Sequence, residues 1–269
     1  MPVSLIGLIN RLTPKHKGSH KIASGLRYGP TARHRLDIYA PRQQDSPLPI
    51  IVYFHGGSWS EGDPESYGFI GRSLAALGYV VVLPAYRLVP DIEYPAFLED
   101  CAAATRFVTE NAEAWRGDRH KVALAGHSAG AYNAAMLALV PDLRLAAGLA
   151  QNLCGVAVLS GPFDFFPFDG PISLRVFGAV PNPRKTQPVV HVQASAPPFF
   201  LATGDRDRLV YPRNTAALAA RLKAAGVTVE EHHYPRLEHA FPMLALGRLG
   251  RFLAPVRTQL RDFFAKVFA

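Results

Sequence analysis

The sequence contains few cysteines and no long hydrophobic run. Of its 269 residues only two are cysteine, Cys101 and Cys154, and both lie in apolar surroundings. We expect two small buried side chains in a reducing compartment, and neither a disulfide nor a metal site. The longest apolar runs, such as residues 79–83, are far too short to span a bilayer. The sequence therefore predicts no integral membrane span.

A secretory signal and a nucleic-acid motif are also missing. Residues 1–10 are apolar but have no leading positive region and no small-residue cleavage site, which favours a cytoplasmic protein. The net charge is +8, and residues 1–42 carry eight basic residues and one acidic residue. A basic N-terminal arm over residues 1–22 contacts anionic lipid or nucleic acid in some proteins, but more often such an arm is a solvated surface. Because no nucleic-acid motif accompanies it, no nucleic-acid partner is expected.

The composition and the order of the hydrophobic patterns indicate one α/β domain over residues 1–269. The chain is 49% hydrophobic and 19% charged, and a chain of this length buries most of its apolar surface in a single domain. Short apolar runs alternate with helical patterns, which predicts a mostly parallel central sheet with helices on both faces. Ligands bind at the carboxyl ends of such strands. The loops that follow strands are therefore the candidate site.

The elements are predicted from hydrophobic period and from turn residues. Strands are predicted at residues 35–39, 50–54, 79–83, 121–125, 155–159, 199–202 and 227–234. Helices are predicted at residues 66–77, 96–111, 129–139, 215–225 and 247–267, with Pro255 as a potential interruption of the last. Residues 1–22 are interpreted as a short helix and a basic connector. Residues 162–196, rich in proline and aromatics, are interpreted as a short lid-like insertion with one helix near 174–178.

Ser128 stands at the centre of the pattern Gly126-His127-Ser128-Ala129-Gly130, between a predicted strand and a predicted helix. This spacing is typical of a nucleophile elbow, in which small residues let strand and helix pass closely while the serine adopts a strained backbone conformation. The N–H of Ala129 would then be free at the helix N-terminus. An ordinary Ser/Gly turn can contain the same residues. The other residues of the site must therefore decide between a nucleophile elbow and an ordinary turn.

A serine nucleophile needs a base that is held by a third group. His239 follows the last predicted strand, and Asp205 and Asp207 follow the strand before it. The order Ser128, Asp207, His239 is the order of triad residues in α/β-hydrolases. The segment Gly56-Gly57-Ser58 follows another strand, where glycine lets the backbone approach a substrate and donate hydrogen bonds to an oxyanion.

The chain resembles α/β-hydrolase carboxylesterases of the hormone-sensitive-lipase-like and the feruloyl-esterase and arylformamidase-like branch. The resemblance rests on residues 55–59 (His-Gly-Gly-Ser-Trp), 86–90 (Tyr-Arg-Leu-Val-Pro), 126–130 and the acid and histidine loops, and it covers about residues 36–241. It implies Ser128, Asp207 and His239 as the catalytic triad, with Asp207 preferred to Asp205. It implies Gly57, Ser58 and Ala129 as the oxyanion hole, although Ser58 replaces the commoner third glycine. No cofactor and no metal are implied.

Several other residues are alternatives that the sequence leaves open. Asp164 follows the strand at residues 155–159 and is a second possible acid, with a turn role favoured. His232 and His233 lie within an alternating strand, which favours structural or solvent-facing positions. His127 packs beside the nucleophile, and His55 braces the oxyanion loop in our interpretation. No histidine spacing supports a metal site.

The expected activity is hydrolysis of short-chain or aromatic carboxylic esters through an acyl-enzyme intermediate. The aromatic residues of the insertion predict an apolar, rather small pocket, and the shortness of the insertion disfavours long-chain fats. An arylformamidase-type amide hydrolase is the alternative, and a non-catalytic binding protein on the same fold is a third hypothesis. The partner is a small-molecule ester, and the oligomeric state is open between monomer and homodimer.

Overall fold

The computed structural model describes residues 5–269 and contains one central sheet. Within these residues its strands are β1 (Ser19–Arg27), β2 (Arg35–Pro41), β3 (Leu48–Phe54), β4 (Val80–Pro84), β5 (Gly117–His127), β6 (Leu153–Leu159), β7 (Phe199–Gly204) and β8 (Val229–Tyr234). Their order is β1-β2-β4-β3-β5-β6-β7-β8. β2 is antiparallel to both of its neighbours, β1 and β4, and the pairs from β4 to β8 are parallel. The mostly parallel sheet that the sequence predicts is confirmed.

Helices cover both faces of the sheet. They are α1 (Leu5–Leu12), α2 (Gly68–Ala75), α3 (Ala96–Glu110), α4 (Ala129–Leu139), α5 (Pro141–Ala146), α6 (Pro171–Phe177), α7 (Arg213–Ala224), α8 (Phe241–Leu244) and α9 (Val256–Val267). Along β3, Ile50, Val52 and Phe54 belong to the core shared with α3, α4 and α7. Ile51 and Tyr53 belong to the opposite core, shared with α2 and α9. The alternation of side chains along a strand explains why a continuous apolar run is buried on both faces.

The N-terminal region differs from the sequence-based expectation. The predicted helix is present as α1, but the expected basic connector runs into β1, which pairs with β2 from Ser19 opposite Pro41 to Arg27 opposite Arg35. Most β1 side chains are partly or fully exposed. An edge strand of this kind is stabilised mainly by backbone hydrogen bonds, so it has little hydrophobic pattern to predict it.

The C-terminal helix is shorter than predicted. α9 begins at Val256, directly after Pro255. Residues 247–254 instead form successive turns, which are closed by hydrogen bonds from Gly250 N–H to the Gly247 carbonyl oxygen at 3.1 Å and from Leu253 N–H to the Gly250 carbonyl oxygen at 2.9 Å. Proline lacks the N–H that a helix interior requires, so the predicted helix over residues 247–267 is wrong before Val256. The short helices α5 and α8 were not predicted.

The insertion over residues 162–196 packs tightly on the domain beneath it. It contains α6 and the 3₁₀ helices Pro183–Thr186 and Pro188–His191, and α6 begins earlier than the expected helix at 174–178. Phe163 and Phe177 of the insertion are fully buried. The assignment of residues 162–196 as a lid within a single domain stays a prediction.

The cysteines and the helices bear on two further expectations. Both cysteines are free thiols; Cys101 is buried, but Cys154 is only partly buried because it lies near the start of β6, so the expectation of burial is wrong for it. Among residues 5–269, no helix has the length and hydrophobicity that a membrane crossing requires.

Candidate active site

Ser128 lies at a sharp turn between β5 and α4. Its backbone has φ 56° and ψ −123°, a conformation that is strained for a residue with a side chain. Glycine is required at both flanking positions, because neighbouring backbone atoms lie where a Cβ would be. A Cβ on Gly126 would lie 2.3 Å from the Gly130 carbonyl oxygen, and one on Gly130 would lie 2.1 Å from the Phe54 carbonyl oxygen. The turn therefore has the geometry of a nucleophile elbow.

The structure brings Ser128, His239 and Asp207 together from three loops. His239 Nε2 lies 2.9 Å from Ser128 Oγ, and His239 Nδ1 lies 2.7 Å from Asp207 Oδ2. Because a carboxylate only accepts, Nδ1–H donates to Asp207 and Nε2 is left to accept the hydroxyl proton of Ser128. This tautomer is the one that a general base for serine requires.

The Asp207 carboxylate is fixed by its own loop. Its Oδ1 accepts hydrogen bonds from the backbone N–H groups of Leu209, at 2.9 Å, and Val210, at 2.8 Å, while its Oδ2 faces His239. The side chain is fully buried. A buried carboxylate with all three bonds satisfied holds the imidazole in one orientation.

The alternative acids and bases lie away from Ser128. Asp205 contacts His233 Nδ1 at 2.9 Å, and His232 packs on Phe200 with ring centroids 4.8 Å apart. Asp164 is exposed. The structure thus places Asp205, Asp164 and the β8 histidines outside the cluster of Ser128, Asp207 and His239.

His127 has a contact that the sequence did not reveal. Its Nε2 lies 2.9 Å from the backbone carbonyl oxygen of His239, so Nε2–H donates and ties the histidine loop to the elbow. The two rings lie 4.8 Å apart. Burial, with the neighbouring His239, lowers the pKa of His127 to about 3, which keeps the ring neutral. This hydrogen bond could not be predicted from the local sequence, since its two partners are far apart in the chain.

The loop that follows β3 has an unusual backbone and is braced by residues 86–89. Gly57, Ser58 and Trp59 have φ values of 123°, 54° and 55°. The Tyr86 hydroxyl donates to the His55 carbonyl at 2.8 Å, and Val89 N–H donates to the Trp59 carbonyl at 2.9 Å. These bonds explain why the two motifs occur together.

His55 supports the loop from beneath. It is buried, its Nδ1 lies 2.8 Å from the Gly56 carbonyl oxygen, and its ring stacks on Tyr86 at 4.4 Å. Burial lowers its pKa to about 4, so the ring is neutral near neutral pH. The geometry agrees with the bracing interpretation of this residue.

A cavity of about 190 Å³ opens over Ser128. Ser58, Ala129 and Ser128 line its floor, whereas Gly57 lines a neighbouring cavity beside α1. Its walls include the apolar residues Trp59, Phe165, Ile172, Leu209 and Val210 and the charged residues Asp169 and Arg213. The cavity is smaller than typical pockets for drug-sized ligands, which measure about 300–1,000 Å³.

The insertion builds part of this wall and is held by buried amides. Asn214 Oδ1 accepts from the backbone N–H groups of Phe163 and Asp164, both at 2.9 Å, and Gln187 Oε1 accepts from Phe165 N–H at 2.7 Å. These amide contacts were not predicted. Phe165 lines the cavity, as the sequence predicts for the aromatic residues of the insertion, whereas Phe163 is buried and anchors the segment.

Comparison with known proteins gives a consistent result. The BD-FAE family profile matches residues 36–166. Carboxylesterase NlhH of Mycobacterium tuberculosis is 34% identical, with 83% of this chain and 77% of the relative aligned. Esterase LipQ of the same organism is 30% identical, with 97% of this chain and 67% of the relative aligned.

Solved structures agree in fold. Esterase B from Lactobacillus rhamnosis superposes with a TM-score of 0.84 at 22% identity, over 97% of this chain and 91% of that one. A hyperthermophilic esterase from the archaeon Pyrobaculum calidifontis superposes with a TM-score of 0.76 at 24% identity, over 98% of this chain and 90% of that one.

The parallel sheet, the elbow after β5 and these superpositions define an α/β-hydrolase fold. Within that class, the chain belongs to the carboxylesterase family, in the hormone-sensitive-lipase-like and feruloyl-esterase branch. It is a carboxylic ester hydrolase.

Proposed function

We propose that Ser128 is the nucleophile, His239 the general base and Asp207 the residue that orients His239. The observation that carries this proposal is the continuous chain of hydrogen bonds from Ser128 Oγ through the His239 ring to Asp207, at 2.9 and 2.7 Å. Serine alone is a weak nucleophile at neutral pH, and such a chain is the usual way to activate it.

In the proposed reaction, His239 Nε2 accepts the Ser128 proton as Oγ forms a bond to the ester carbonyl carbon. The tetrahedral oxyanion is held by backbone N–H groups of Gly57, Ser58 and Ala129. His239 then gives its proton to the departing alcohol, which leaves an acyl group on Ser128. A water molecule, deprotonated by the same histidine, releases the acid. Each oxyanion donor contributes about 3 kcal/mol to barrier lowering in serine hydrolases.

We further propose that the substrates are short-chain or small aromatic esters. The support is the volume of the cavity, about 190 Å³, and its largely apolar wall. Leu209 and Tyr211, which line the cavity, are 58% and 52% exposed, so this side of the cavity is open to solvent. Nothing in the site or in the relatives reported above favours the aryl-amide alternative.

The test is a p-nitrophenyl ester series from acetate to palmitate, measured with wild type and Ser128→Ala. We expect kcat/KM to peak at short chains and to fall to background in the variant. Treatment with a p-nitrophenyl alkylphosphonate adds a second readout: Ser128 Oγ bonds to phosphorus, p-nitrophenolate leaves, and mass spectrometry locates the adduct. An active Ser128→Ala variant, or an adduct on another residue, would refute the assignment of the nucleophile.

A cytoplasmic location and a choice between monomer and homodimer stay predictions. The two free cysteines support the former. Fractionation of cells that express the tagged protein, and light scattering of the purified chain, test these two points.

A further inference from the structure

Another cavity, of about 310 Å³, lies apart from the substrate cavity, and five of the thirteen residues that line it are lysine or arginine. No residue lines both cavities. The wall joins the end of α1 and the loop that follows it with α2 and with Arg248 of the turns before α9. Its cations are Arg11, Lys15, Lys21, Arg72 and Arg248, and Glu65 is its acidic residue.

Most of this positive charge is not neutralised. Lys21 pairs with Asp37 at 2.6 Å, but over residues 5–269 no carboxylate lies within ion-pair distance of Arg11, Lys15 or Arg248. Glu65 pairs with Arg35. We call the surface of Arg11, Lys15, Arg72, Arg248 and the adjacent Arg251 the basic face.

Two neighbouring groups have pKa values that burial lowers and that the nearby arginines lower further. Arg251 donates a hydrogen bond to His16 Nε2, and burial together with Arg251, Arg257 and Arg248 lowers the pKa of His16 to about 4. Burial and nearby arginines also lower the pKa of Arg257 to about 10. Cations that disfavour one another in this way are stabilised by an anionic partner.

Large apolar side chains are exposed at positions that lie close in sequence to residues of the basic face. Leu8 and Leu12, four residues apart on one side of α1, are 47% and 66% exposed, and Leu249 is 52% exposed. Phe252, next to Arg251, is 85% exposed, the largest fraction among the large hydrophobic residues described. A phenylalanine that is exposed to this extent contributes little to the stability of a monomer. Clustered exposed apolar residues mark an interaction site.

We propose that the basic face and these four apolar residues dock the protein on the surface of an anionic lipid bilayer. Cations interspersed with leucine and phenylalanine are the composition of peripheral membrane-binding surfaces, where the apolar groups enter the headgroup region and the cations meet lipid phosphates. A nucleic acid would use the cations but has no use for exposed leucines. A second copy of the chain would oppose like charges.

The experiment is co-sedimentation of the full chain with vesicles of phosphatidylcholine alone and of phosphatidylcholine with an equal part of phosphatidylserine. We expect binding to the anionic vesicles that weakens with added salt. Arg11→Gln/Arg248→Gln should lower the partition coefficient about 25-fold, since each basic residue near the surface contributes about fivefold. Arg119→Gln/Arg221→Gln, which removes equal charge from exposed sites elsewhere, should leave it unchanged.

The apolar contribution has its own variant pair. Phe252→Ala should lower the partition coefficient by about tenfold, because part of the ring area leaves water on binding, and Leu145→Ala, at a 63% exposed position on α5, should not change it. All four variants should keep wild-type kcat/KM on p-nitrophenyl acetate in the absence of vesicles, which separates docking from catalysis.

Three results would overturn the proposal. One is the absence of binding to anionic vesicles at low salt. Another is binding that Arg11→Gln/Arg248→Gln weakens no more than its control, or that is insensitive to Phe252→Ala. The third is binding to a DNA or RNA duplex, or self-association, that depends on the same residues while vesicle binding does not.

Discussion

Replacing Asp207 by asparagine removes one negative charge from the site while it keeps the shape of the side chain. The retained Oδ1 still accepts the N–H groups of Leu209 and Val210, at 2.9 and 2.8 Å. The amide nitrogen takes the place of Oδ2, which lies 2.7 Å from His239 Nδ1. Because this nitrogen donates, it selects the tautomer in which Nδ1 is unprotonated and Nε2 carries the proton.

That tautomer presents N–H to Ser128, 2.9 Å away, where a proton acceptor is required. In another serine hydrolase the same replacement lowers kcat about 10⁴-fold, which corresponds to about 5 kcal/mol of transition-state stabilisation. We expect a loss of similar size here in kcat on p-nitrophenyl acetate, with KM little changed. The unfolding free energy should fall by no more than about 2 kcal/mol, since the loop bonds persist.

Two variants make the measurement specific. Asp205→Asn changes the same chemical group two residues away, where its partner is His233, and should keep near wild-type kcat. Asp207→Ala leaves the partly buried N–H groups of Leu209 and Val210 without their protein acceptor and should lower stability by about 1 kcal/mol for each, as measured by urea unfolding. Our reasoning about the tautomer would be wrong if the kcat of Asp207→Asn stayed within about tenfold of wild type, far from the loss of about 10⁴-fold expected. It would also be wrong if Asp205→Asn lost kcat to that extent while Asp207→Asn did not.

Three further predictions concern the oxyanion loop and the buried histidines. Gly57→Ala should lower kcat about 10²-fold or more, because Gly57 has φ 123° and an added Cβ would lie 2.2 Å from the Glu61 carbonyl oxygen. Ser58→Gly should keep activity, since the proposed oxyanion hole uses only the backbone N–H of Ser58. His127→Leu should lower kcat even where the protein stays folded, because it removes the hydrogen bond that ties the loop of His239, the proposed general base, to the elbow. Burial lowers the pKa of His127 to about 3 and of His55 to about 4, so between about pH 8 and pH 5 the unfolded chain takes up protons that the folded chain does not. Unfolding free energy should therefore fall on acidification by about 2 kcal/mol for each histidine.

Each of these has a direct check. The oxyanion variants are compared by ester kinetics, and an inactive Ser58→Gly would contradict a role confined to the backbone. For His127, the informative control is His127→Gln, because its amide N–H can restore the hydrogen bond to the carbonyl of His239. We expect His127→Gln to recover kcat relative to His127→Leu. If it does not, His127 does not act by positioning the loop of His239. For the acid effect, urea unfolding of His127→Gln at the two pH values should show a loss smaller by about 2 kcal/mol than that of wild type, and an equal loss would refute the assignment.

The local chemistry of the chain determined which residues are candidates for the site. Gly126 and Gly130 are needed because backbone atoms approach within 2.3 Å of the positions where side chains would begin, and this constraint is written in the sequence as a spacing. The buried strands could be predicted for the same reason: side chains that alternate between two cores require continuous apolar runs. The residues 126–130, the loop at 55–59 and the loops of Asp207 and His239 were therefore recognisable one by one.

Tertiary structure alone decided how these parts meet. β1 has no strong hydrophobic pattern, because it is stabilised by backbone hydrogen bonds to β2. Local sequence propensity does not predict such bonds. The bond from His127 to the carbonyl of His239 spans 112 residues of chain. The basic face likewise joins the region of α1 with residues 248–252, and only the folded chain places His16 beside Arg251. Contacts between distant segments arise when the core brings them together. The sequence could therefore identify most of the proposed reacting groups, but not the contacts that hold them or the basic face.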